Sequence, residues 1–193
     1  MSKTLPPIIL ASQSPRRYEL LKTLTSNFEV MVSEAEEIVD LEKSPIENVK
    51  NLAQKKVEWI EKSNCGRFVI GADTVVAFGD EILGKPKDQK DACRILRFLS
   101  GNLHQVITGV AAVGPGINSF VYAEISTVQF KTLTEDQIID YVATGEPMDK
   151  AGAYAIQGKG LDLIESHKGS YSNIVGFPLE IVQPLLIRAG YLP

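Results

Sequence analysis

Cysteine is scarce in this chain. Only Cys65 and Cys93 occur among 193 residues, and neither has a His or Cys partner at ligand spacing, which argues against a zinc site and a disulfide framework and makes a reduced, cytoplasmic setting the expectation. The two histidines, His104 and His167, lie far apart without metal spacing and read as structural or surface residues. Positive charge is not in excess. The net charge of -4 argues against a nucleic-acid or membrane-surface protein while allowing a small basic pocket in an acidic body. Long apolar runs are missing too. The start carries Lys3 and then Leu5-Pro6-Pro7, no segment suits a signal peptide, and nothing later approaches a membrane span. Neither Gly-x-x-x-x-Gly-Lys-Ser/Thr nor Gly-x-Gly-x-x-Gly occurs, which argues against the common ATPase and dinucleotide-binding loops. With no internal repeat or low-complexity linker, residues 1–193 read as a single domain. Its 44% hydrophobic and 23% charged residues are ordinary globular values, sufficient for a proper core.

What is present centres on Arg67-Phe68-Val69-Ile70-Gly71-Ala72-Asp73-Thr74-Val75-Val76. Phe68, Val69 and Ile70, bounded by Gly71, predict a short buried strand in a sheet covered on both faces. Asp73 and Thr74 follow its end. In open α/β sheets that end faces the ligand crevice, so a carboxylate and a hydroxyl there suit chemistry. Taken alone, Asp73 also suits a plain turn.

The remaining pattern alternates strands and helices. Ile8-Ile9-Leu10-Ala11 predicts a first strand, and Ser14 followed by Pro15 predicts a helix start with Tyr18, Leu20, Leu21 and Leu24 as its apolar stripe. Arg16 and Arg17 oppose the helix dipole at that start, by about 0.3 to 1 kcal/mol each at an exposed site. Either a bound anion such as phosphate compensates them, or surface carboxylates such as Glu19 do. Phe28-Glu29-Val30-Met31-Val32 predicts a second strand. The acidic Ser33-Glu34-Ala35-Glu36-Glu37 after it suits a cation site or solvated surface. Ser44-Pro45-Ile46-Glu47 is a capping box opening a helix in which Lys56 falls among the apolar positions, where it either snorkels or meets an anion.

A hairpin is expected at Gly79-Asp80, between Val75-Val76-Ala77-Phe78 and Glu81-Ile82-Leu83. Gly84-Lys85-Pro86 then places Lys85 in backbone that resists helix and can approach a ligand. Asp88 caps a helix ending at Ser100-Gly101. Residues 104–113, bulged at Gly109, pair with residues 119–131 across Gly114-Pro115-Gly116. Thr134 and Gln137 form a second capping box. Residues 146–160 are rich in small residues and carry Asp149, Lys150 and Gln157, which fits a pocket wall. A short strand over 161–165, a polar loop over 170–173 and a closing helix over 178–188, with Pro184 inside it, complete the reading.

Leu10-Ala11-Ser12-Gln13-Ser14-Pro15-Arg16-Arg17-Tyr18-Glu19-Leu20-Leu21, Gly71-Ala72-Asp73-Thr74-Val75-Val76, Gly84-Lys85-Pro86, Ser100-Gly101 with His104, and the segment from Glu146 to Gly158 together resemble the Maf family, in the family's order and over nearly the whole chain. The resemblance implies an α/β fold similar to the inosine triphosphate pyrophosphatases, with an elongated mixed sheet flanked by helices, two lobes, a central cleft and a homodimer. It implies a nucleoside triphosphate pyrophosphatase that releases a monophosphate and pyrophosphate with a divalent cation, Mg²⁺ or Mn²⁺. Asp73 matches the proton acceptor. Arg16, Thr74 and Gln157 match positions marking the subgroup acting on dTTP and UTP, as opposed to the sibling subgroup acting on 7-methyl-GTP. Glu36, Lys56 and Lys85 match further polar pocket positions.

The residue types suit that chemistry. Arg16, Lys56 and Lys85 would neutralise most of a triphosphate, with a metal ion held at Asp73 and Glu36 taking the rest. Asp73 would accept the proton, or hold the metal, in metal-assisted water attack on the α-phosphorus. Gln157 offers one donor and one acceptor to a uracil or thymine edge. The competing expectation is a non-catalytic nucleotide-binding regulator of cell division.

Overall fold

The computed structural model describes residues 5–79 and 81–193. In chain order the elements are β1 (Ile8–Ala11), α1 (Pro15–Leu24), β2 (Phe28–Val30), α2 (Pro45–Glu61), β3 (Val69–Phe78), β4 (Glu81–Leu83), α3 (Gln89–Leu99), β5 (Leu103–Gly114), β6 (Ile117–Phe130), α4 (Glu135–Ala143), β7 (Ile164–Lys168), α5 (Tyr171–Val175) and α6 (Leu179–Arg188). Short 3-10 turns at Glu146–Asp149, Ala151–Ala153 and Gly158–Leu163 lie between α4 and β7. One seven-stranded mixed sheet has the order β2-β1-β3-β5-β6-β7, with β4 also on β3. β1 runs parallel to β2 and β3, whereas β3, β5, β6 and β7 pair antiparallel.

The helix starts follow from their caps. Ser14, Ser44 and Thr134 each accept a backbone N–H in the first turn of α1, α2 and α4, and the last two close full capping boxes with Glu47 and Gln137. Such a cap contributes about 1 kcal/mol. Each satisfies an amide that a helix start leaves without a partner. The hairpin also forms, pairing Phe78 with Glu81, although Asp80 of its expected turn lies outside the described residues.

Two cores flank a gap. At one end Ile8, Leu10, Phe68, Ile70, Phe177 and Leu186 pack on one face of the sheet, and Ile9, Val57, Ile60 and Val69 pack on the other beneath α2. At the far end Leu96, Leu99, Phe130, Tyr154 and Leu163 form a separate cluster. A smaller cluster of Val49, Val75, Ala77 and Ile107 packs between α2 and the sheet, and the long strands β3, β5 and β6 join all of these.

Several sequence expectations change. β3 does not stop at Gly71. It continues for ten residues, so Asp73 and Thr74 sit inside a strand and project to opposite faces. Gly71 is there because Val57 packs close: a Cβ on it would lie 3.0 Å from Val57 Cγ2. Gly109 is not a bulge either, since the register irregularity falls between Ala112 and Gly114. At Gly109 the backbone of α2 comes so near that a Cβ would lie 2.3 Å from the Val49 carbonyl oxygen. β2 ends at Val30, and β7 starts at Ile164 after a 3-10 turn that takes up residues 161–163. The polar loop expected over 170–173 enters a five-residue helix capped by Ser170.

β1 releases β3 at Gly71, and β4 takes the same edge only from Val76. Among the described residues, 72–75 therefore have no strand partner on that side. The gap between the two cores opens there.

Candidate active site

The chain leaves β1 through Ser12, whose Oγ accepts the Ser14 N–H at 3.1 Å, and enters α1 at its capped N-terminus. The two arginines then separate. Arg17 turns inward, donating from Nε to the Gly176 carbonyl at 2.8 Å, from Nη1 to the Ala72 carbonyl at 2.8 Å and from Nη2 to Thr74 Oγ1 at 3.0 Å. It thereby ties α1 to the open edge of β3 and to the end of α5. Burial lowers its pKa, opposed by the negative fields of Asp73 and Glu37. Arg16 lines the gap, and its side chain forms no hydrogen bond or ion pair among the described residues. Neither arginine pairs with Glu19 among the described residues.

Asp73 projects to the other face of β3. Its Oδ1 lies 2.6 Å from Lys56 Nζ, and both residues are buried, at 7% and 8% exposure. Lys56 reaches it because Gly71 and Gly109 let α2 settle onto the sheet. The alternative of a snorkelling lysine is thus resolved in favour of an anion. Lys56 Nζ also contacts Glu37 Oε2 at 3.0 Å, delivered by an irregular segment between β2 and α2. Glu37, not Glu36, is the acidic side chain that this segment brings to the gap. Glu36 is exposed and absent from the cavity wall; without regular structure, the segment offers no periodicity from which to assign its inward residue.

Thr74 takes part in a different network. Besides accepting from Arg17, its Oγ1 lies 3.0 Å from Thr108 Oγ1, and that hydroxyl donates to the Asn173 carbonyl at 3.1 Å. The Asn173 side chain in turn donates to the Val106 carbonyl and to Ser126 Oγ.

The opposite wall comes from residues 146–160. Glu146 accepts N–H groups from Lys159 and Gly160 and the Tyr141 hydroxyl. Burial raises its pKa, but these hydrogen bonds outweigh that and hold it below the usual range. The grip fixes the turn next to Gln157, which stands exposed at the cavity mouth. Lys150 donates to the Glu146 carbonyl at 2.7 Å and to Asp149 Oδ1 at 2.6 Å. Lys85, also exposed, completes the rim. Below the wall, buried His104 shares a 2.8 Å hydrogen bond with Tyr154; burial brings its pKa down to about 4, so it is a neutral core residue.

These groups surround one cavity of about 590 Å³, lined among others by Arg16, Glu37, Lys56, Asp73, Thr74, Lys85, Lys150 and Gln157. Its size is that of a small-molecule site. Every site residue expected from the sequence reaches it except Glu36. Tyr154 and the inward turn of Arg17 were not expected from the sequence, whereas the small residues of 146–160 together with Asp149, Lys150 and Gln157 pointed to that wall. Among the described residues no group of three or more His, Cys, Asp or Glu is placed to hold a metal ion. The cavity is lined by three carboxylates, of which Asp149 is paired with Lys150; Asp73 and Glu37, brought together on Lys56, are a hard-oxygen pair that fits an Mg²⁺-like ion whose other ligands come from substrate phosphates and water.

The fold belongs to a known class, that of the Ham1 proteins. The Staphylococcus aureus Ham1 protein superposes with a TM-score of 0.56 at 15% identity, covering 94% of this chain and 98% of that one. A HAM1 protein from Coxiella burnetii superposes with 0.50 at 14% identity, covering 96% and 100%. Within that class the family is specific: the model for Maf-like protein matches residues 7–189, and the chain belongs to this family. A dTTP/UTP pyrophosphatase of Geobacillus sp. (strain WCH70) is 47% identical over 184 residues, 95% of this chain and 98% of that one. Another, of Dictyoglomus thermophilum, is 49% identical over 186 residues, 95% and 96% of the two chains.

Proposed function

We propose that this chain is a nucleoside triphosphate pyrophosphatase acting on dTTP and UTP, releasing the nucleoside monophosphate and pyrophosphate. The observation that carries the reading is one cavity in which Asp73 meets Lys56, Arg16, Lys85, Thr74 and Gln157. It is supported by kinship with proteins bearing that activity at nearly half identity over almost their whole length.

In this reading Arg16 and Lys85 bind the phosphate tail. Arg16 has no internal partner to give up among the described residues, so it costs little to recruit. Asp73 accepts the proton of the attacking water. The water oxygen bonds to the α-phosphorus, the bond from that phosphorus to the bridging oxygen breaks, and pyrophosphate leaves with the electron pair. Asp73 and Glu37 would hold a divalent cation, Mg²⁺ or Mn²⁺, which when bound neutralises phosphate charge and acidifies water. Thr74, fixed by Arg17 and Thr108, presents an oriented hydroxyl. Gln157 offers its amide to the O4 and N3–H edge of the pyrimidine.

The chain acts as one domain in this reading, in the cytoplasm, as a homodimer. The outer edge of β6 before Thr127 supports the dimer, since it has no strand partner among the described residues and exposes Tyr122 and Ile125. No helix of the described residues is long and apolar enough to cross a membrane.

The test is product identification. The protein is incubated with Mg²⁺ or Mn²⁺ and UTP, dTTP, 7-methyl-GTP or ATP. Monophosphate and pyrophosphate from UTP and dTTP are expected. Preference for 7-methyl-GTP would reject the substrate assignment; diphosphate and phosphate, or no turnover, would reject the reaction.

A further inference from the structure

Lys56 occupies the meeting point of the two carboxylates. Its ammonium contacts Asp73 at 2.6 Å and Glu37 at 3.0 Å, so in the free protein it is the cation in contact with both. The contact is enclosed on one side only: the Lys56 and Asp73 side chains are each 10% exposed, that of Glu37 53%. α2 itself is fixed, because Ala53, Val57 and Ile60 are buried against the sheet on either side of Lys56. What is free to move is the lysine side chain, a point charge on a flexible stem.

Lys56 contacts one oxygen of each carboxylate, Asp73 Oδ1 and Glu37 Oε2, so a divalent cation held by the same pair would lie within a few ångströms of the ammonium. At that separation the two cations repel strongly. We propose that Lys56 is an exchangeable cation: it guards the carboxylate pair in the free protein and moves to the substrate's phosphate oxygens when the metal takes the pair. Removing a buried ammonium from its carboxylates with nothing to receive it is costly. The exchange therefore requires a polyphosphate in the cavity, so metal and nucleotide load together and the free protein holds metal weakly. Two protein carboxylates are few ligands for an ion, which makes phosphate oxygens necessary from the metal's side as well.

This rests on the metal-dependent reading above, and the experiment separates the two. Mn²⁺ binding is measured by electron paramagnetic resonance on wild type, Lys56→Met and Lys56→Arg, with and without α,β-imido-UTP, a probe resistant to cleavage at that bond. In wild type the probe should tighten Mn²⁺ at least about tenfold, the scale set by one unit charge at contact distance. Without the probe, Lys56→Met should bind Mn²⁺ at least about tenfold more tightly than wild type, and Lys56→Arg should remain as weak as wild type. Equal Mn²⁺ affinity in wild type with and without the probe overturns the exchange, and this arm stands even if Lys56→Met fails to fold. Equal affinity of folded wild type and Lys56→Met without the probe overturns it as well. Absence of Mn²⁺ binding to wild type in any condition overturns the metal reading and this inference with it.

Discussion

The two faces of β3 at Asp73 and Thr74 solve different problems with adjacent residues. On the Asp73 face, charges meet: a buried carboxylate, a buried ammonium and a half-exposed glutamate lie in contact under α2. On the Thr74 face the groups are held by hydrogen bonds to neutral acceptors, with Arg17 bound to two carbonyls and a hydroxyl, Thr108 to a carbonyl, and His104 kept neutral beside Tyr154. The first arrangement stores electrostatic energy that a ligand can redirect. The second fixes positions, with the Arg17 charge committed to neutral acceptors. Ion pairing and hydrogen bonding to neutral acceptors are thus divided between the two sides of one strand, and the edge at residues 72–75, without a strand partner among the described residues, lets a single cavity reach both.

The sharpest way to break this division is Asp73→Asn. If the ionic face carries the chemistry, turnover of UTP should fall about a thousandfold, within the usual range for a general base, while the folded structure persists by circular dichroism. Near-normal turnover would remove the base from that face. The neutral face is probed next by pH. His104 titrates near 6.5 unfolded and at about 4 folded, so the unfolded chain binds its proton first. Its contribution is complete above pH 6.5 and is lost as pH falls towards 4, on the order of 3 kcal/mol in all. Urea unfolding at several pH values should show this slope in wild type and a shallower one in His104→Gln; parallel slopes would mean that the imidazole is not held neutral.

The neighbouring arginines sharpen the contrast further. Arg17→Met leaves buried carbonyls at Ala72 and Gly176 without donors, a loss of about 3 kcal/mol in unfolding free energy. Arg16→Met should change stability by less than about 0.5 kcal/mol and raise KM for UTP instead. Reversed outcomes would exchange the roles of the two residues. The smallest effect is expected at Gln157→Ala, about 1 kcal/mol of lost preference for UTP and dTTP over other triphosphates, the low end for a hydrogen-bonding group because Gln157 is exposed. An unchanged ranking of kcat/KM values would take Gln157 out of base recognition.

The features legible in the sequence were those written in local chemistry. Ser14-Pro15, the Ser44 and Thr134 capping boxes and Asp88 announced helix starts that the structure retains. Long alternation announced the β5 and β6 pair. What stayed hidden depended on partners distant in the chain. Gly71 reads as a stop until α2 is seen pressing on it, and the same holds for Gly109, whose reason is the Val49 carbonyl. Five residues of α5 are too few to reveal a helical period. The choice between Glu36 and Glu37 turns on a segment without regular structure, and the split between Arg16 and Arg17 on acceptors supplied by Ala72, Thr74 and Gly176.

The grip of Glu146 on the turn after Gln157 has a consequence for how selectivity can change. Because the amides of Lys159 and Gly160 are anchored by that carboxylate and not by position 157, the side chain at the mouth can be replaced without reshaping the wall behind it. If Gln157 meets the base as proposed, a new base preference needs only a local edit, because the turn behind it keeps its own anchor.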